Sequence, residues 1–159
     1  MAERQSFPPS SRDVVIFLKF AQERNPAAPA FTRSVLMTAE QPYSQHFKDE
    51  LRNELSGHME EEWIERSFGI LRDFGRRRFK VSELEDYVRM HQRDLAADQV
   101  LARMALLFEF SMIGNRLFDS RAQEYRERWR YKSQDLTLHI DYDAGIVIHP
   151  GLWRVLGAR

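Results

Sequence analysis

Arg128-Trp129-Arg130-Tyr131-Lys132, Leu136-Thr137-Leu138-His139-Ile140-Asp141 and Ile146-Val147-Ile148 are the runs whose reading decides the fold. In the first two, apolar and polar side chains alternate. That period of two is expected of a strand that buries one face. Asp143-Ala144-Gly145 supplies a turn between the second and third runs. Residues 129–148 are therefore expected to form a short antiparallel ribbon. Pro150-Gly151 closes it, and Leu152–Leu156 form a terminal helical turn.

Upstream of the ribbon the period is helical. Val14, Phe17, Leu18 and Ala21 form the stripe of a first helix, capped by Ser10 or Ser11 and ended by Asn25-Pro26-Ala27-Ala28-Pro29. A short helix is expected over about Phe31–Glu40, ending at Pro42. A third helix, capped by Ser44, carries Phe47, Leu51 and Leu55 and stops near Gly57. Trp63, Ile64, Phe68, Leu71 and Phe74 mark a fourth, closed by Gly75. Phe79-Lys80-Val81 looks extended. Ser82-Glu83-Leu84-Glu85 has the form of a capping box opening a helix with Leu84, Tyr87, Val88 and His91. The most apolar helix spans about 97–110 and ends near Ser111–Asn115. Residues 116–127 are polar and predict a loop or irregular helix.

The order helix, short strand, helix, helix and ribbon over 59–149 is that of a winged helix-turn-helix. The expected fold is mainly α with a small antiparallel β-hairpin or sheet. It divides into a flexible lead-in at 1–10, a helical subdomain at 11–57 and a winged-helix-like domain at 58–159.

Composition narrows the function. Lys plus Arg and Asp plus Glu both number 24, so no net charge draws the chain to nucleic acid or an anionic membrane. Cysteine is absent, which excludes disulfides, thiolate metal sites and a Cys nucleophile and fits a reducing, cytoplasmic location. No apolar run approaches a bilayer span, and Met1–Ser6 lack the pattern of a signal peptide.

Three segments resemble the C-terminal part of bacterial AAA-like, signalling-type P-loop ATPases, the FunZ-like proteins among them. They are Ser11-Arg12-Asp13-Val14-Val15-Ile16-Phe17-Leu18, Tyr43-Ser44, and the stretch Leu107–Asn115 followed by Trp129–Lys132 and Ile146–Trp153. The resemblance implies a helical lid followed by a winged helix. Ser11 departs from it, standing where the family pattern has proline. The Gly-x-x-x-x-Gly-Lys-Ser/Thr phosphate loop is absent, so the chain alone is expected to be no enzyme and to need no cofactor. It is either part of a larger ATPase or a stand-alone relative of its tail.

The resemblance makes Arg12 a candidate nucleotide-sensing residue, because a guanidinium fork matches phosphate oxygens. The alternative is an ordinary polar residue of a helix's first turn. Two basic groups are candidates for nucleic-acid or partner binding: Arg76, Arg77, Arg78 and Lys80, and Arg126, Arg128, Arg130 and Lys132. Strand alternation turns Trp129 and Tyr131 away from the second group and into the core, and a solvated basic face is the ordinary outcome. Arg103 is the only basic residue between Asp98 and Glu109, so the would-be recognition helix is poorly equipped to read bases. Its extra apolar surface predicts packing on the N-terminal helices or another protomer. The five histidines lack metal-ligand spacing, and His91 is expected to be half-buried and hydrogen-bonded. Glu60-Glu61-Glu62 suit a helix start, and no Gly-x-Ser-x-Gly elbow is present. The expected partner is a protein or a parent ATPase domain. Nucleic acid is the less favoured alternative, a homo-oligomer is a third, and no membrane partner is expected.

Overall fold

The computed structural model describes residues 11–130 and 137–159. The expected lead-in at 1–10, Ser10 as a cap, and Tyr131, Lys132 and Leu136 lie outside the described residues. Six α-helices and a four-stranded antiparallel sheet are described: α1 (Ser11–Arg24), α2 (Arg33–Met37), α3 (Glu40–Leu55), α4 (Glu61–Phe74), β1 (Arg78–Lys80), α5 (Val81–His91), α6 (Ala97–Glu109), β2 (Ile113–Asp119), β3 (Glu124–Arg128) and β4 (Gly145–Ile148). The sheet order is β1-β4-β2-β3.

The helices follow the expected stripes, with shifted ends. Pro42 does not end a helix; it lies in the first turn of α3, where its missing N–H costs no hydrogen bond. Ser44 is consequently inside α3 and not its cap. It is buried and donates to Gly151 O at 2.6 Å while accepting from Val155 N at 2.9 Å, pinning α3 to the C-terminal segment. The capping contact of α5 sits two residues early. Glu83 Oε2 accepts from Lys80 N at 2.7 Å, and Ser82 falls in the first turn. Gly75 ends α4 at φ 70°, a left-handed conformation that favours glycine.

The main correction concerns the ribbon. Residues 113–127, expected as a helix end and loop, form the β2–β3 hairpin together with Arg128. Asn115 faces Arg128 in it, and Phe118 faces Tyr125. Conversely, Trp129 falls just beyond β3, and 137–141 are not strand. The alternation of Leu138 and Ile140 is a property of a returning segment. Asn115 holds that segment by donating to Asp141 O at 2.7 Å and accepting from Asp141 N at 2.8 Å, which satisfies a fully buried amide. Asp143-Ala144-Gly145 is an Asp141-centred turn into β4, with Asp141 Oδ1 accepting from Asp143 N and Ala144 N. β4 then pairs with β1 on one side and β2 on the other. Pro150–Leu152 form a 3-10 turn.

The pairing register sorts the sheet into two faces. The inner face carries Phe79, Ile113, Ile146 and Ile148. These join Ile64, Phe68 and Leu71 of α4, Leu84 and Val88 of α5, and Met104, Leu107 and Phe108 of α6 in one core. Leu51 and Leu55 of α3 enter the same core. At one end of the outer face Trp129 lies buried over Gly114 and near His149, whose ring stacks on Phe47 of α3 at 4.5 Å. At the other end Phe118 and Tyr125 are about half exposed.

Candidate functional site

Arg12 stands in the first turn of α1, where its largely exposed guanidinium reaches Glu50 of α3 at 2.5 Å. The helix it opens is thinly covered. Of its apolar residues Ala21 alone is buried; Ile16, Phe17, Leu18 and Phe20 are partly covered, and Val15 is 65% exposed. Phe31 and Met37, before and within α2, are 49% and 56% exposed.

The two basic segments do not converge, because β1 and β3 are opposite edges of the sheet. Most of their cations already have partners. Arg76 pairs with Glu83 at 2.5 Å. Arg77 lies over Trp153 and donates to Ala158 O at 2.8 Å, so it serves the C-terminal segment. Arg126 pairs with Asp119 at 3.1 Å and Glu124 at 3.4 Å along the hairpin edge. Arg130 reaches Glu109 of α6 at 3.0 Å. Lys80 and Arg128 are exposed; Lys132 lies outside the described residues.

One group does assemble, and sequence reasoning missed half of it. Lys80, Gly145, Arg116 and Glu127 form a single cross-strand row on the outer face. Arg78 lies on one side of that row and the Phe118–Tyr125 pair on the other. Arg78 extends across the sheet to Glu127 at 3.7 Å. The Arg116 guanidinium lies 3.6 Å from the centre of the Tyr125 ring, and Tyr125 meets Phe118 edge-on at 5.1 Å. Both rings are about half exposed. The signal was present in the sequence. Ile113, Asn115 and Leu117 alternate with Gly114, Arg116 and Phe118, but the polar tail of that run obscured the period.

The perturbed carboxylates are structural. The Lys80 backbone N–H, aided by Arg76, holds Glu83 below the usual carboxylate range. Backbone N–H groups of Ala122 and Arg121 do the same for Asp119, and Arg66 for Asp94. His91 is exposed rather than half-buried, stacked on Tyr87 with Nδ1 2.9 Å from Tyr87 O. Among the described residues no group of three or more His, Cys, Asp or Glu is placed to hold a metal ion, and no helix is long and apolar enough to cross a membrane. Comparison with protein-family models, curated proteins and solved structures finds no match.

Proposed function

We propose that this chain is a non-catalytic regulatory and interaction module, a helical lid-like unit followed by a winged-helix unit, resembling the C-terminal part of a P-loop ATPase without its nucleotide-binding core. The observation that carries the reading is the thin cover over α1 and α2. A helix with Val14, Val15, Ile16, Phe17 and Leu18 in sequence leaves Val14 and Val15 exposed and the other three only partly covered. Such a surface is stabilised when another protein surface covers it. The covering partner is a nucleotide-binding domain, and Arg12, exposed at the start of α1, faces its phosphates.

The second half supports the winged-helix assignment by order and pairing. α4, β1, α5, α6, β2 and β4 follow one another with sheet order β1-β4-β2, and β3 is an added strand in the wing. α6 occupies the recognition-helix position but turns Val100, Met104, Leu107 and Phe108 inward. Its one arginine, Arg103, is stacked on Trp63 with the guanidinium 3.7 Å from the ring centre. Major-groove reading needs Arg, Lys, Asn or Gln presented to base edges, so a protein partner fits this helix better.

Two measurements on the intact chain test the reading. Calorimetry and phosphate release with ATP should show neither binding nor turnover; micromolar binding with turnover would overturn it. The dye ANS should fluoresce on the native chain and lose that signal in a Val15→Lys/Met37→Lys variant of unchanged circular dichroism. An unchanged signal would remove the apolar face from the argument.

A further inference from the structure

The outer face of the sheet has a composition that the ATPase reading does not use. Strand alternation there places Arg78, Lys80 and Arg116 on one side of the sheet, with Glu127 the only carboxylate among the described residues that the strands direct to that face. The middle of the row has no side chain, because Gly145 stands between Lys80 and Arg116. A Cβ at that position would meet Arg116 O at 3.2 Å. The result is a shallow floor bordered by cations, ending at two half-exposed rings.

Each part of this arrangement suits one occupant. Exposed aromatic rings on a sheet offer flat apolar faces to unpaired bases, and every base has such a face. The Arg116 guanidinium covers one face of Tyr125, offers its own plane for stacking in place of that face and adds a positive charge there. Lys80 is exposed, and Arg78 is tied to Glu127 only by a long contact at 3.7 Å, which a phosphate oxygen can replace. A cross-strand aromatic pair also stabilises a hairpin. That role accounts for the rings but not for three cations, from β1 and β2, on the same face of the sheet.

We propose that the end of the outer sheet face bearing Phe118 and Tyr125 binds single-stranded nucleic acid, with bases stacked on these rings and phosphates held by Arg116, Lys80 and Arg78. Duplex is a poor ligand, since its bases are already stacked. The proposal is independent of the ATPase-tail reading, and either can fail without the other.

Fluorescence anisotropy with labelled single-stranded homopolymers of about a dozen nucleotides, DNA and RNA, tests it on the full chain at roughly 50 mM salt. Binding should weaken with a log–log salt slope of roughly −2, from about −0.7 for each of three neutralised phosphates. Phe118→Ala and Tyr125→Ala should each weaken it about tenfold, while Tyr125→Phe keeps it. Because the ring deletions also loosen the hairpin, the charge variants provide a separate readout. Lys80→Ala/Arg116→Ala should flatten the salt slope, and Glu127→Gln, which frees Arg78, should tighten binding about two- to fivefold. No complex at low salt, or tighter binding of a duplex of equal length, would overturn the proposal. Equal affinity for polyglutamate that is indifferent to both rings would also overturn it and point to an acidic protein.

Discussion

At Gly114 a missing side chain decides the packing of a large one. A Cβ there would lie 2.8 Å from Cδ2 and Cε3 of Trp129 and 2.9 Å from Arg128 O, so only glycine lets the buried indole settle on the strand. Neither the ring nor the backbone carbonyl of a paired strand yields easily. Gly114→Ala should therefore cost about 1–3 kcal/mol in urea unfolding, the usual range for overpacking. A loss below about 0.5 kcal/mol would show that Trp129 does not rest there as described. Gly114 falls in the Ser111–Asn115 stretch, where the sequence predicts a helix end and a glycine would serve a left-handed turn. Its importance lies in close approach, and the sequence shows only that a glycine is present, not which of its two uses applies.

Among the elements, α5 shows how a capping contact couples to pH. Glu83 takes the backbone N–H of Lys80 on one oxygen and Arg76 on the other, and both favour the ionised form. Its folded pKa lies below the unfolded value of about 4.3. The unfolded chain then binds the proton first as pH falls. The contribution is complete above the unfolded pKa and disappears as pH drops through the depressed one. Glu83→Gln keeps the cap geometry but does not titrate. Melting temperatures should thus place the variant below the native chain near neutral pH and bring the two together below about pH 4. A gap that stays constant across that range would exclude the ionised carboxylate as its source.

Across the whole molecule, the helical N-terminal half and the sheet-containing half share apolar contacts. Leu51 and Leu55 belong to the same buried cluster as Ile64, Phe68 and Ile148, and Ser44 ties α3 to the chain's last turn. Arg159 N donates to Gly75 O at 2.8 Å and Arg77 N to Arg159 O at 3.1 Å, so the C-terminus also holds the entry to β1. All three tryptophans, Trp63, Trp129 and Trp153, lie after residue 57, whereas much of the helix signal comes from α1 to α3. Unfolding followed by tryptophan fluorescence and by far-ultraviolet circular dichroism should give coincident transitions. Earlier loss of the dichroism would mean that the helices before residue 57 melt separately. Leu55→Ala should shift both curves together, by about 2–5 kcal/mol.

The sequence alone determined the mainly helical class, the apolar stripes of α1, α3, α4, α5 and α6, the short strand at Phe79 and the strand at Ile146–Ile148. Each of these rests on a local period that burial of one face imposes. It also placed Trp129 in the core. What only the tertiary structure decided is which alternating runs pair. Residues 113–128 form the hairpin and 137–141 do not, because strand identity depends on a hydrogen-bonding neighbour and Asn115 spends its amide on holding the latter segment. The outer-face group of Arg78, Lys80, Arg116, Phe118 and Tyr125 was hidden for the same reason. Its members come from three strands separated along the chain, and cross-strand register, which no local period encodes, sets them side by side.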